Sequence, residues 1–142
     1  MINRLYEASQ AGVEIDLIVR GICCLIPGQT YSRNIRVTRI VDTFLEHARI
    51  WYFGNGGNPK LFLGSPDWMR RNLYRRIEAV TPILDPDAKQ ELIDMLSIQL
   101  SDKRKACFVD ENLRNCWKSA HPQKEKVRSQ YTFYEYLKEK TE

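Results

Sequence analysis

Apolar residues recur at helical spacing at the start of the chain, where Ile2, Leu5, Ala8 and Ala11 share a face and Gly12 supplies a left-handed stop. The period then shortens to two. Val13, Ile15, Leu17 and Val19 alternate with Glu14, Asp16 and Ile18, predicting a strand over 13–19 that emerges at Arg20-Gly21. Cys23 to Asn34, with Pro27-Gly28, reads as a loop. Ile40, Val41, Phe44 and Leu45 fall on one helical face and predict a second helix. From Ala48 alternation returns: Ala48, Ile50 and Tyr52 face one way, His47, Arg49, Trp51 and Phe53 the other. Gly54 to Pro59 is a Gly- and Asn-rich hairpin loop, after which Lys60 to Leu63 runs back as the partner strand.

Beyond the hairpin the spacing between Trp68 and Arg76 fits no single period, whereas Ile77 to Ile83 reads as a strand ended near Pro82. Asp85-Pro86 is a helix start, with Asp85 as N-cap, and Ala88, Leu92, Met95, Leu96 and Gln99 line the helix that follows. Lys105 to Val109 is a further short strand, and Asp110 to Arg128 is polar and basic enough to read as a surface loop. Ser129 caps a last helix carrying Phe133, Tyr134 and Leu137. Strands alternating with helices, plus one hairpin, indicate an α/β fold: a mixed sheet flanked by helices. A helix leading straight into a strand is the second half of a strand-helix-strand unit, so the chain is expected to be a fragment of a larger protein.

The hairpin register decides which polar groups meet. Pairing Phe53 with Lys60 sets Arg49 opposite Gly64 and His47 opposite Pro66, which returns Gly64-Ser65-Pro66-Asp67 to the side of His47 and Arg49. An imidazole beside a guanidinium suits phosphate chemistry, because histidine carries protons near neutral pH and arginine offers a permanently charged fork of donors. Gly64 would let backbone approach a ligand, and Ser65 would add a donor.

Composition narrows the picture. With 142 residues, 43% of them hydrophobic, the chain has enough apolar material for one core and is read as a single domain over 1–142. The net charge of +4 is too small by itself to argue for a nucleic acid, and none is expected as partner. No secretory leader is expected before Ile2, and the apolar run from Ile15 to Val19 is interrupted by Asp16 and closed by Arg20, so nothing spans a membrane. Cys23, Cys24, Cys107 and Cys116 lack metal-ligand spacing and read as reduced, mostly buried thiols of a cytosolic protein. Trp51, Phe53, Phe62 and Trp68 are expected in the core. Arg70, Arg71, Arg75 and Arg76 form a dense basic stretch that either lines a polyanion path or pairs with Glu78 and its neighbours.

His47-x-Arg49 followed by Gly64-Ser65-x-Asp67 resembles a half-site of the phospholipase D superfamily, whose pattern is His-x-Lys and then Gly-Ser-x-Asn, with Arg in place of Lys and Asp in place of Asn here. A second resemblance covers nearly the whole chain. The runs from Gly12 to Cys23, Asn34 to Val37 and Phe44 to Ile50 are similar to the C-terminal region of bacterial polyphosphate kinases, the large ATP-dependent family. So are Asn55-Gly56-Gly57, Leu63 to Met69, Arg76 to Glu78 and Thr81 to Pro86.

This resemblance implies a phospholipase D-like fold and a part in moving the terminal phosphate of ATP, reversibly, onto polyphosphate through a phosphohistidine. That histidine and the Mg2+ ligands would lie in the upstream domain, so the isolated piece is expected to be inactive. Arg20 and His47 are the positions it assigns to ATP; Arg49, Ser65 and Arg75 are further candidate phosphate contacts from the residue reading above. The implied partners are ATP or ADP, polyphosphate and the upstream domains, in a cytoplasmic homo-oligomer that can sit at the inner membrane face. Two other readings stay open from the residues: a phospholipase D-like phosphodiesterase or nuclease using His47, and a non-catalytic polyanion-binding module.

Overall fold

The computed structural model describes residues 1–141. In chain order the elements are α1 (Ile2–Gln10), β1 (Ile15–Ile18), β2 (Ile35–Ile40), β3 (Ile50–Phe53), β4 (Lys60–Gly64), α2 (Arg70–Arg75), β5 (Val80–Pro82), α3 (Pro86–Ser101), β6 (Ala106–Val109), β7 (Asn115–Trp117) and α4 (Ser129–Thr141). Where one mixed sheet was expected there are two, and the chain divides into two compact units, each with its own sheet. The first takes Met1–Phe44 and everything from Ser97 on; the second is Leu45–Leu96.

The first unit carries a mixed sheet in the order β1-β2-β6-β7. β1 and β2 are parallel, Ile15 beside Ile35 through Ile18 beside Thr38, while β6 and β7 add antiparallel. β2 is the buried middle of this sheet, and its Ile35 and Val37 form the core with Leu25 and Val109. Onto that core α1 packs Ile2 and Leu5 of the expected face, joined by Tyr6 rather than by Ala11, which is exposed past the helix end, and the chain leaves the helix through Gly12 at φ 91°. Buried Ser9 ties the helix to the start of β2: its hydroxyl accepts from the Asn34 amide at 3.2 Å, and its carbonyl from the Asn34 side chain at 2.8 Å.

Three expectations fail here. The helix expected through Ile40, Val41, Phe44 and Leu45 does not form. Instead, Ile35 to Ile40 is a strand, because its β-branched Ile35, Val37, Thr38 and Ile40 pack well on a pleated surface and poorly on a helix turn. The basic stretch from Asp110 to Arg128 is not all loop, since Asn115–Trp117 adds an edge strand whose three residues are all exposed. Ser129 also does not cap α4 with its hydroxyl, which is buried without a partner among the described residues. Asp102 does that work: fully buried, its Oδ1 accepts from the amides of Arg104 and Lys105 at 2.8 and 2.7 Å and its Oδ2 from Ser129 N at 2.7 Å.

The second unit is built on the antiparallel sheet β3-β4-β5. Phe53 pairs with Lys60 and Ile50 with Leu63, as the alternation and the loop length predict, and Gly64 N continues the ladder to Arg49 O at 3.1 Å. The ambiguous stretch after Trp68 is the short α2, and the strand expected over 77–83 shrinks to Val80–Pro82. Asp85 caps α3 as expected, its carboxylate accepting from Ala88 N at 2.8 Å, a contact worth about 1 kcal/mol. Cys24 and Cys116 are exposed and Cys23 and Cys107 half-buried, so the four thiols are free but not mostly buried. Among the described residues no helix is long and apolar enough to cross a membrane.

Candidate functional site

Arg20 belongs to the first unit, whereas His47, Arg49, Ser65 and Arg75 belong to the second. Arg20 stands just past the end of β1, where pairing with β2 stops after Val19 N meets Thr38 O at 2.9 Å. Its side chain is exposed and makes no hydrogen bond or ion pair among the described residues. The carbonyls on either side of it are held by Arg39 of β2, which donates from Nη2 to Gly21 O at 2.9 Å and from Nε to Val19 O at 3.4 Å.

In the second unit the alternation before the hairpin places His47 and Arg49 on one face, and the hairpin brings Asp67 to them. Arg49 is largely buried and fully engaged: Nε donates to Asp67 Oδ1 at 2.9 Å, Nη1 to the His47 carbonyl at 3.1 Å, and Nη2 meets His47 Nε2 at 2.8 Å. A guanidinium can only donate. His47 Nε2 is therefore the acceptor in this contact, which leaves Nδ1 as the ring's donor. The exposed imidazole thus offers an N–H donor from its free edge. The same contact, Arg49 hydrogen-bonded to Asp67, holds the Asp67 carboxyl below the usual carboxylate range.

Ser65 lies in the returning segment but turns toward a different group. Its hydroxyl donates to Glu78 Oε2 and accepts from Ala79 N at 3.1 Å, while Asn72 Nδ2 donates to Glu78 Oε1 at 2.8 Å. These two donors hold the Glu78 carboxyl low. The sequence reading offered Glu78 only to the arginines and passed over Asn72, because Glu78 is brought beside Ser65 by the β4–β5 pairing of Gly64 with Val80.

Gly64 is not an open approach to a ligand. A Cβ there would lie 2.6 Å from Trp51 Cζ3, so the glycine makes room for the indole, which stacks at 6.4 Å on Trp68. The aromatics expected in the core are only partly there: Trp51 and Phe62 are half-buried, while Phe53 and Trp68 remain exposed. Arg75 ends α2, and none of Arg70, Arg71, Arg75 and Arg76 forms an ion pair among the described residues; Glu78 is given to Ser65 and Asn72 instead. No cluster of three or more His, Cys, Asp or Glu side chains that could hold a metal occurs among the described residues.

Comparison with known proteins agrees across methods. The family model described as polyphosphate kinase C-terminal domain 2 matches residues 1–130. A polyphosphate kinase from Synechocystis is 59% identical over 107 residues, 75% of this chain and 15% of the relative. That of Escherichia coli K12 is 46% identical over 139 residues, 97% of this chain and 20% of the relative. The crystal structure of polyphosphate kinase from Porphyromonas gingivalis superposes with a TM-score of 0.93 at 57% identity, over 98% of this chain and 21% of that one. The expected α/β class is borne out, and the chain spans about a fifth of the length of these last two relatives.

Proposed function

The chain belongs to the polyphosphate kinase family, matching its C-terminal domain 2, and from this premise we propose that it helps to bind ATP in an enzyme that passes the terminal phosphate reversibly to polyphosphate. The reading is carried by one observation, the match of the family model over residues 1–130. The phosphohistidine of the reaction belongs to an upstream domain of the same enzyme, and this chain alone is inactive. Arg20 and His47 each contribute a contact to the nucleotide. Arg20 is suited to this because its guanidinium is exposed and uncommitted, and a phosphate is its natural bidentate partner. His47 offers its Nδ1 edge, whose orientation Arg49 and Asp67 maintain.

Phosphoryl transfer draws mainly on positioning and positive charge, and these residues supply both without covalent chemistry of their own. Arg49, engaged three ways, acts through His47 rather than as a first contact, and Ser65 is similarly occupied by Glu78. Arg75, which forms no ion pair among the described residues, is a further phosphate contact. Asp67 and Glu78 do not suit a magnesium site, since they are spent on Arg49, Ser65 and Asn72, and the Mg2+ of the whole enzyme is assigned to its upstream domain. The enzyme works in the cytoplasm as a homo-oligomer, with peripheral attachment to the inner membrane face.

A phosphodiesterase attacking through His47 is the weaker reading, because the Nε2 lone pair such a nucleophile needs is engaged by Arg49. In a full-length polyphosphate kinase containing this sequence, Arg20→Ala and His47→Ala are each expected to cut ATP-to-polyphosphate transfer about tenfold or more, the loss of one strong hydrogen bond to a charged group. Unfolding temperatures should stay unchanged. Near-normal transfer in both variants would remove the assignment.

A further inference from the structure

We infer that Arg39 is the positioning residue for Arg20, a proposal that rests on the ATP contact assigned to Arg20 above. The backbone from Arg20 to Ile22 has left the sheet, and among the described residues the only hydrogen bond that reaches it is the one from Arg39 Nη2 to Gly21 O at 2.9 Å. The same guanidinium holds Val19 O through Nε at 3.4 Å. Its third nitrogen, Nη1, donates to Asn115 Oδ1 of β7 at 2.9 Å. One planar fork thus grips the carbonyls before and after Arg20 and is itself braced from a third strand.

The arrangement has a clear physical consequence. A residue at a free strand end samples many backbone angles, and an arginine there would lose entropy on meeting a ligand. Fixing both flanking carbonyls narrows those angles before the nucleotide arrives. Arg39 can do this because it sits on β2, the buried middle strand, whose Val37 and Ile40 are in the core. Its positive charge also lies beside Arg20, so it raises the local field for phosphate without being a contact. Lysine could not substitute, since a single ammonium on a flexible stem cannot span two carbonyls and an amide.

The test uses full-length polyphosphate kinase containing this sequence, with KM for ATP, kcat and unfolding temperature measured for R20A, R39Q, R39K, N115A and the double variant R20A/R39Q. R39Q is expected to raise KM for ATP about fivefold to tenfold with kcat changed less than about twofold, and R39K to recover little of it. N115A, which removes only the brace, should shift KM in the same direction by about twofold. In the R20A background, R39Q should add nothing further. A normal KM in R39Q beside a damaged R20A overturns the positioning role and leaves the Arg20 contact standing. Multiplicative effects in the double variant assign Arg39 to the fold alone. A normal R20A enzyme overturns the ATP contact itself, and this proposal with it. Where R39Q lowers the unfolding temperature enough to obscure KM, N115A and its double variant with R20A carry the same comparison.

Discussion

Asp42→Ala is expected to destabilise the first unit by about 3 kcal/mol, the largest effect of any single side-chain removal considered for this chain. The Asp42 side chain is 2% exposed and lies two residues past the end of β2. It receives Arg128 on both oxygens, at 2.6 and 2.8 Å, and the Thr43 amide at 2.8 Å, with the Lys105 ammonium 4.0 Å away. Removing it strands a guanidinium that also lies 4.2 Å from the Tyr131 ring. Arg128 keeps a quarter of its side chain in solvent, which holds the loss toward the lower end of the range for buried pairs. Denaturant unfolding at constant m-value would measure it, and a change under about 0.5 kcal/mol would refute the argument.

The same pair sets an acid limit. Arg128 holds the Asp42 carboxyl below its ordinary value, so the folded state binds this proton less readily than the unfolded chain does. The stabilisation is complete above the unfolded carboxylate value of about 4 and disappears as pH falls through the lower folded value. Asp42→Asn should therefore flatten the part of the stability profile below about pH 4 and leave the neutral part lowered but parallel.

Gly64→Val is expected to cost the second unit roughly 2–3 kcal/mol, and Gly64→Ala about 1–2 kcal/mol, by overpacking. An added Cβ would sit 2.6 and 2.7 Å from the Trp51 ring and 2.9 Å from Val80 Cγ2. Backbone strain is no part of this, because Gly64 is absent from the positive-φ residues. The indole must leave its place, which breaks the near-parallel stack with Trp68 at 14° and changes tryptophan fluorescence along with the unfolding temperature. A Gly64→Ala chain with unaltered fluorescence and stability would show that the ring can yield without loss.

How much of this could be read from residues alone depends on whether the deciding contact is local. The hairpin register, Phe53 with Lys60 and onward to Arg49 with Gly64, followed from a short Gly- and Asn-rich loop between alternating runs. The Asp85 cap and the Gly12 stop were equally local. β2 was not: Ile40, which shares a helical spacing with Val41, Phe44 and Leu45, is instead the last residue of a strand and pairs with Ala106 of β6. β7 was hidden for another reason: an exposed edge strand has no buried face to impose alternation. In the candidate site the pairing of His47 with Arg49 was legible from their shared face. The diversion of Ser65 to Glu78, and the grip of Arg39 on the carbonyls around Arg20, depend on strand neighbours that sequence spacing does not name.

Asp102 serves two places at once, receiving the turn at Arg104 and Lys105 and the first amide of α4, whose chain position lies 27 residues away. Neither end of that staple can let go without leaving a carboxylate oxygen dry and unmatched. The C-terminal helix is thereby protected at its root rather than at its tip: amide exchange and proteolytic nibbling would progress inward from Thr141 and halt at Ser129 until the turn after α3 gives way as well.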